Sequence, residues 1–472
     1  MNHLPSPTDW LAVTAGAAPD AVALVEDDGA VITYGDLDEL AACAVGQLAR
    51  SFDLVPTGLM GFAPFRVKSE VLAAMWATWR LGAAVMLADP QGPLLPGGNA
   101  GAQERWGVSA FVTDLEIAGT PTRTPGVSDP DHLHTVLLTS GSKGDPRPVR
   151  LTHGNVEAAV RASLLRLGNT EKDRWLLTLP LHHIGGLSVL WRSAATGGAV
   201  VVHDAFSAHR AAREMMNGSV TIASLVPTML HRILDAESGP YQEGCTVLLG
   251  GAAAGRDLVE RALDAGLHVL QTYGMTEACS QVATVAAGEE RESLGTAGRP
   301  LDGMRILIDG DDPGEIVIEG SAVSPGYLGE PDRSGPHHTG DLGRFDDAGR
   351  LVVLGRMDDM IVSGGENVYP DAVADIIRRH PVVDGAEVIG LPDPEWGEIV
   401  AAVVAADPDA QGEIEEWARL QLARHQMPKF WVLVDEIPLL ANGKVDRASL
   451  LNLLRGSNEL GRGGIHFPPP AP

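Results

Sequence analysis

Residues 137–155 read LLTSGSKGDPRPVRLTHGN and crowd small hydroxyl residues, glycines and cations into one stretch. Gly141 and Gly144 allow a tight backbone turn that points N–H groups at an anion. Thr139, Ser140 and Ser142 offer hydroxyls to phosphate oxygens, and Lys143, Arg147 and Arg150 add positive charge. The stretch is not a Walker loop, because GxxxxGK[ST] needs Gly-Lys followed by a hydroxyl, which neither GSKGD nor GKVDR provides. Alone, a Ser/Gly-rich loop after a strand is more often a plain surface turn than a cradle. A second stretch, LPLHHIGGLSVLWRSAATGGAVVV at 179–202, sets His182 beside His183. Adjacent side chains are expected to diverge and no third ligand is evident, so packing or gating is favoured over a metal.

These residues need elements to hold them. From about residue 20 to 310, short apolar runs such as AVALVE, WLLTLP and AVVVHD alternate with Ala-rich stretches of helical period. That is the rhythm of an α/β protein with substantially parallel sheets. Thr33 and Asp36 predict a capped helix start. The phosphate-loop candidate follows an apolar strand, HTVLLT, and precedes a helix beginning near Asn155. Between roughly 311 and 355 the pattern changes to short strands with acidic turns, Asp346 to Gly349 reading as a hairpin turn. After Arg356 a smaller unit mixes helix (DAVADIIRRH, EIEEWARLQLARH) with strand (GAEVIGL, IVAAVVAA). The expected division is a large N-terminal domain over 1–356, a small α+β C-terminal domain over 357–455, and a poorly ordered tail over 456–472. The ending FPPPAP can form neither helix nor central strand.

With 472 residues, 44% hydrophobic and 21% charged, the chain has ample material for two or more domains. No apolar run suits a membrane helix and MNHLPSPTDW lacks the features of a secretory signal, so no integral membrane contact and a cytoplasmic address are expected. Cys43, Cys245 and Cys279 are scattered, odd in number and outside any CxxC spacing, which points to reduced thiols. A net charge of −27 would repel nucleic acid and anionic membranes. An anionic substrate then needs locally placed cations, and the lysines are few: Lys68, Lys143, Lys172, Lys429 and Lys444.

Four further motifs stand downstream: QTYGMTEACS at 271–280, HTGDLGRF at 338–345, GRMDDMIVSGGENVYP at 355–370 and ANGKVDR at 441–447. With these, the chain resembles the acyl-adenylate-forming superfamily of acyl- and aryl-CoA ligases, adenylation domains and luciferases, in the family's order and spacing. The resemblance implies ATP, Mg²⁺ and CoA as cofactors and a small-molecule carboxylic acid as substrate. A carboxylate resists direct attack by a thiol, so it first attacks the α-phosphorus of ATP, and the acyl-AMP then yields to the thiol. The resemblance also implies a small β-barrel-like part in the large domain and a mobile C-terminal domain. Many members associate, so a homo-oligomer stays open.

Roles follow from the same resemblance. Thr139, Ser140, Gly141, Ser142, Lys143 and Gly144 would wrap the β- and γ-phosphates, and Glu277 would hold Mg²⁺. Thr276 would contact the α-phosphate. Tyr273 and the turn Gly250, Gly251, Ala252 would enclose adenine, with Thr272, Gly274 and Met275 completing the nucleotide strand. Asp341 would accept both ribose hydroxyls, a task suited to a bidentate carboxylate, and Arg356 would assist. Lys444 would reach the attacking carboxylate and the charge developing at the α-phosphorus. The small domain would then turn about Asp358, withdraw that lysine and open a pantetheine channel past Gly364 and Gly365.

The loop departs from the family pattern in two places. Lys143 stands where a second threonine is usual, and Arg147-Pro148 replaces Lys-Gly, proline removing a backbone donor. The segment 179–202 is similar to the o-succinylbenzoate-activating branch of the superfamily, from menaquinone biosynthesis. That implies His183 as the gate between carboxylate and CoA pockets, Arg192 as partner of a second substrate carboxylate, and Ser188, Ser280 and Gln281 as pocket residues. Arg192 could equally cap a helix or pair with a surface acid. Another aryl, short-chain or fatty acid, a carrier-protein acceptor, and a nucleotide-binding protein without turnover all stay open.

Overall fold

The computed structural model describes residues 9–51, 58–64, 66–90, 105–112, 115–124, 126–127, 129–140, 146–237, 239–242, 244–439 and 445–459. Up to Arg356 the strands form three sheets. In a nine-stranded sheet the inner strands His268–Met275, Thr246–Leu249, Ile222–Leu225, Arg174–Leu177, Ala199–Val202 and Val22–Val25 run parallel, with antiparallel strands at both ends. The inner strands are largely apolar, and AVVV at 199–202 is buried throughout, as a strand covered on both faces must be. A six-stranded sheet holds Ala84–Leu87, Leu59–Phe62, Val108–Val112 and Leu133–Ser140 in parallel. The next strand, Pro146–Thr152, turns back antiparallel on Leu133–Ser140, and the two residues Gly326–Tyr327 pair with its outer edge.

One continuous apolar core takes side chains from both sheets and from the helices between them in sequence, with Trp175, Trp191, Phe62 and Leu24 almost fully buried. Local chemistry fixes where those helices begin. Thr33 Oγ1 and the Asp36 carboxylate cap the start of Tyr34–Ser51 reciprocally, and Thr152 with Asn155 makes the same box at His153–Leu167. Gly168, left-handed at φ 69°, ends the latter helix.

The third sheet is antiparallel and four-stranded, Met304–Asp309, Gly314–Gly320, His337–Phe345 and Leu351–Arg356, with a hairpin turn from Asp346 to Gly349 as the sequence predicts. A 3₁₀ turn, Met357–Asp359, leads to the fourth sheet, in which Gly385–Asp393 and Gly397–Ala405 form a long hairpin and the latter strand also pairs with Ile361–Ser363 and Phe430–Val434. Helices Pro370–Arg378, Gln411–Gln421 and Arg447–Glu459 complete this unit. The last helix runs to Glu459, past the residue 456 at which the sequence reading begins the tail; RGSNE carries no proline, and the breaker run lies further on. Residues 460–472 lie outside the described residues. Among the described residues, no helix is long and apolar enough to cross a membrane.

Candidate active site

The motif YGMTEACS forms the tip of a hairpin between strands His268–Met275 and Ser280–Thr284, closed by the 3₁₀ turn Thr276–Ala278. The tip is tight enough to demand its sequence. A Cβ on Gly274 would lie 1.8 Å from the Ser280 carbonyl oxygen. Cys279 and Ser280 hold left-handed backbone at φ 52° and 104°, an uncommon state for non-glycine residues that concentrates at functional sites. Thr276 opens the turn, and the Glu277 carbonyl accepts from the Ser324 N–H at 2.7 Å.

Tyr273 reaches from this hairpin to the four-stranded sheet, its hydroxyl donating to Asp341 Oδ2 at 2.6 Å. Burial, and then the Asp341 charge, push the Tyr273 phenol well above its usual pKa, so it stays a donor. Arg356 Nη1 donates to Asp341 Oδ1 at 3.0 Å and to the Thr339 carbonyl at 2.9 Å. The three motif residues therefore meet at one carboxylate. Beside them, Gly250 lies so near Thr272 that a Cβ would come within 2.7 Å of its methyl, and Gly251 is left-handed at φ 83°. Ala252 follows in the same turn, exposed. Thr272 itself is spent on the Ala283 carbonyl and the Thr284 hydroxyl, while Met275 pairs in register with Ser280.

Of the phosphate loop, Thr139 and Ser140 end their strand and Pro146 begins the next. Gly141, Ser142, Lys143 and Gly144 lie outside the described residues, as does Lys444, which Leu439 and Val445 flank in an antiparallel bridge. Arg147 and Arg150, offered by the sequence as added positive charge beside the loop, each pair with an acid. Arg150 donates to Asp332 at 2.7 Å, and Arg147 lies over the Tyr327 ring, 3.4 Å from its centroid, with Glu330 at 3.3 Å. Both turn sideways because the strand Gly326–Tyr327 adds to their own.

Most of the residues expected to form the acid pocket lie on or beside helix Ile184–Thr196. His183 is its N-cap residue and half-buried, and Gly186 permits the tight entry, since a Cβ there would lie 2.4 Å from the Leu179 carbonyl. The expected divergence of His182 and His183 is wrong: extended backbone at His183 and the turn before it bring the ring centroids to 4.4 Å. Burial lowers the pKa of His182. The pair still gathers no metal set; among the described residues that grouping arises at Asp309, Glu315 and His338.

Arg192, on the same helix, is 2% exposed. It is neither a helix cap nor paired with a surface acid. Nη2 donates to Ser280 Oγ at 3.1 Å, the guanidinium lies 5.4 Å from the Trp175 ring, and Nε has no partner among the described residues. Burial brings its pKa down to about 10. A guanidinium so desolvated without a carboxylate is costly unless an anion arrives. Ser188 is buried one turn earlier, with its hydroxyl on the Gly185 carbonyl. Gln281 does not share the pocket: strand alternation sends it away from Ser280, and its amide is committed to the Ser163 and Thr284 hydroxyls.

In the C-terminal unit, Gly364 and Gly365 are left-handed at φ 62° and 85°, and a Cβ on Gly364 would lie 2.8 Å from the Trp396 ring. Asp358 is exposed in the 3₁₀ turn after Arg356. The sequence reading missed Trp175, Tyr327 and Trp396, although the chain has only 9 tryptophans and 5 tyrosines to consider.

The Gly250–Ala252 turn and the Thr276–Ala278 turn follow the carboxyl ends of the neighbouring parallel strands Thr246–Leu249 and His268–Met275, and family models give the class of enzyme to which such a chain belongs. The AMP-binding enzyme family matches residues 98–328 and the AMP-binding enzyme C-terminal domain matches residues 372–444. The chain belongs to the AMP-binding enzyme family. It is 35% identical to the 2-succinylbenzoate–CoA ligase of Bacillus licheniformis, across 95% of this chain and 100% of that one. It is 32% identical to the corresponding ligase of Bacillus subtilis across 95% and 98%. Its structure superposes on o-succinylbenzoate CoA synthetase of Bacillus subtilis in complex with the acyl-adenylate intermediate, with a TM-score of 0.83, 31% identity, and coverage of 94% and 97%. The same enzyme in complex with ATP and magnesium ion gives a TM-score of 0.82 and 31% identity, across 94% and 99%.

Proposed function

We propose that this chain is an AMP-forming CoA ligase that converts o-succinylbenzoate to its CoA thioester. The observation that carries the substrate is Arg192, buried beside Ser280 and Trp175 with no acid partner among the described residues. An aryl acid bearing a second carboxylate supplies the missing partner as a charge-assisted hydrogen bond, while its ring fits an apolar surround. Membership of the family and identity to 2-succinylbenzoate–CoA ligases over nearly the whole chain support the same reading.

In the first step an oxygen of the aryl carboxylate bonds to the α-phosphorus of ATP, the bond to the bridging oxygen breaks, and pyrophosphate leaves. Asp341, held by Tyr273 and Arg356, accepts from the ribose, and Thr276 sits at the α-phosphate. Glu277 would hold the divalent cation: one oxygen accepts from Tyr327, and the other is a hard carboxylate ligand of the kind such an ion takes. When bound, Mg²⁺ neutralises polyphosphate charge. Lys444 balances charge at the reacting centre. The C-terminal unit then pivots at Asp358 as a domain beginning at residue 357, Gly364 and Gly365 line the pantetheine path, and His183 gates it. The CoA sulfur attacks the acyl carbon as its proton leaves, and AMP departs.

The test is AMP release from ATP and Mg²⁺ with o-succinylbenzoate, with and without CoA, beside benzoate, hexanoate and Lys444→Ala. Turnover needing both o-succinylbenzoate and CoA, and lost in the variant, is expected. Release with another acid instead would discard the substrate and keep the chemistry.

A further inference from the structure

Residues 324–328 form a strap between the Glu277 turn and the phosphate hairpin. At one end the Ser324 N–H donates to the Glu277 carbonyl, and at the other the Leu328 N–H donates to the Pro148 carbonyl at 2.8 Å. Between them Tyr327 pairs in register with Val149. Arg147, two residues before Val149, falls on the same face of the sheet, diagonal to Tyr327. Its guanidinium carbon lies over the ring, 3.4 Å from the centroid, while Nη2 donates to the Glu330 carboxylate at 3.3 Å. Tyr327 is 8% exposed, and its hydroxyl donates to Glu277 Oε1 at 2.9 Å.

We propose that Tyr327 and Arg147 are positioning residues for Glu277, one fixing the carboxylate by a hydrogen bond and the other holding and polarising the phenol from its face. The inference rests on Glu277 being the cation ligand. With Oε1 held by the Tyr327 hydroxyl, the rotamer is set and Oε2 can take a cation without further loss of side-chain freedom. A cation over an aromatic face draws electron density from the ring and makes its hydroxyl a better donor. The Arg147 departure thereby gains a reason. A planar guanidinium can stack on Tyr327 while one of its amino groups, Nη2, still reaches Glu330, a combination that suits arginine better than the compact ammonium of lysine.

The experiment is direct binding of Mn²⁺, a spectroscopic stand-in for Mg²⁺, to the full chain with ATP, read as loss of the free-ion paramagnetic resonance signal. Tyr327→Phe removes only the hydroxyl and should raise the Mn²⁺ dissociation constant roughly five- to tenfold. Arg147→Gln, at a half-exposed site with little burden on folding, should raise it roughly two- to fivefold. Steady-state kinetics should show a higher Mg²⁺ requirement with the KM for the acid unchanged. Unaltered Mn²⁺ affinity in both variants, alongside a clear loss in Glu277→Gln, overturns the proposal while keeping Glu277 as ligand. Unaltered affinity in Glu277→Gln removes the ligand assignment and the proposal with it.

Discussion

The Tyr273 hydroxyl lies 2.6 Å from Asp341 Oδ2 and so ties the tip of the nine-stranded sheet to the four-stranded one. Asp341 has its other oxygen on Arg356, the last residue of strand Leu351–Arg356, one position before the 3₁₀ turn. The Asp341 carboxylate is thus preset by two donors from different elements.

Tyr273→Phe should therefore raise the KM for ATP about fivefold, the equivalent of one lost hydrogen bond of about 1 kcal/mol, and leave the KM for the acid unchanged. Pyrophosphate release measured against ATP concentration checks this. Equal effects on both substrates would place Tyr273 in general packing instead.

Arg192→Ala should raise the KM for o-succinylbenzoate about 10- to 100-fold, as expected for a charge-assisted pair worth roughly 1.5–3 kcal/mol. Benzoate, with one carboxylate, should be insensitive. An unchanged KM for the dicarboxylic acid would end the assignment.

Gly364→Ala puts a methyl 2.8 Å from the Trp396 ring at a left-handed position. If this glycine borders the pantetheine path, the variant should still form acyl-AMP at the parental rate and lose CoA-dependent turnover by about tenfold or more. Single-turnover quenching with and without CoA separates the two steps; slowed adenylation would contradict the role.

Acid should destabilise the fold through a buried imidazole pair. His134 stacks on Trp79 with centroids 4.4 Å apart and meets His153 edge-on at 4.6 Å. Burial, then repulsion from neighbouring histidines, holds His134 well below its usual pKa and His153 down to about 4. Both are neutral when folded, whereas the unfolded imidazole takes a proton below about pH 6.5. Their contribution is complete above that pH and is lost as pH falls towards 4, His153 accounting for roughly 2 kcal/mol between pH 7 and 5. Urea midpoints at both pH values, for the parent and His153→Gln, test this; the variant should show the smaller fall.

Much of the site was legible because adenylation constrains residue type and order along the chain. Tyr273, Glu277 and Asp341 sit in short motifs whose turns need particular glycines, and the alternation of apolar runs with helical stretches specified an α/β fold. Gln281 and the His182–His183 pair were misjudged for one shared reason. Where a side chain points depends on which strand or turn comes alongside, and sequence spacing does not carry that.

The sequence by itself determined the motif set, the sheet-and-helix rhythm, the scarcity of lysine and the chemistry these can perform. Tertiary structure alone decided that Arg192 is buried beside Ser280 with no acid partner among the described residues, and that Tyr327, 50 residues from Glu277, hydrogen bonds to it. Local propensity and turn chemistry act within a few residues and can be read along the chain. Desolvation and pairing act between elements far apart in sequence, and they exist only once the sheets have packed.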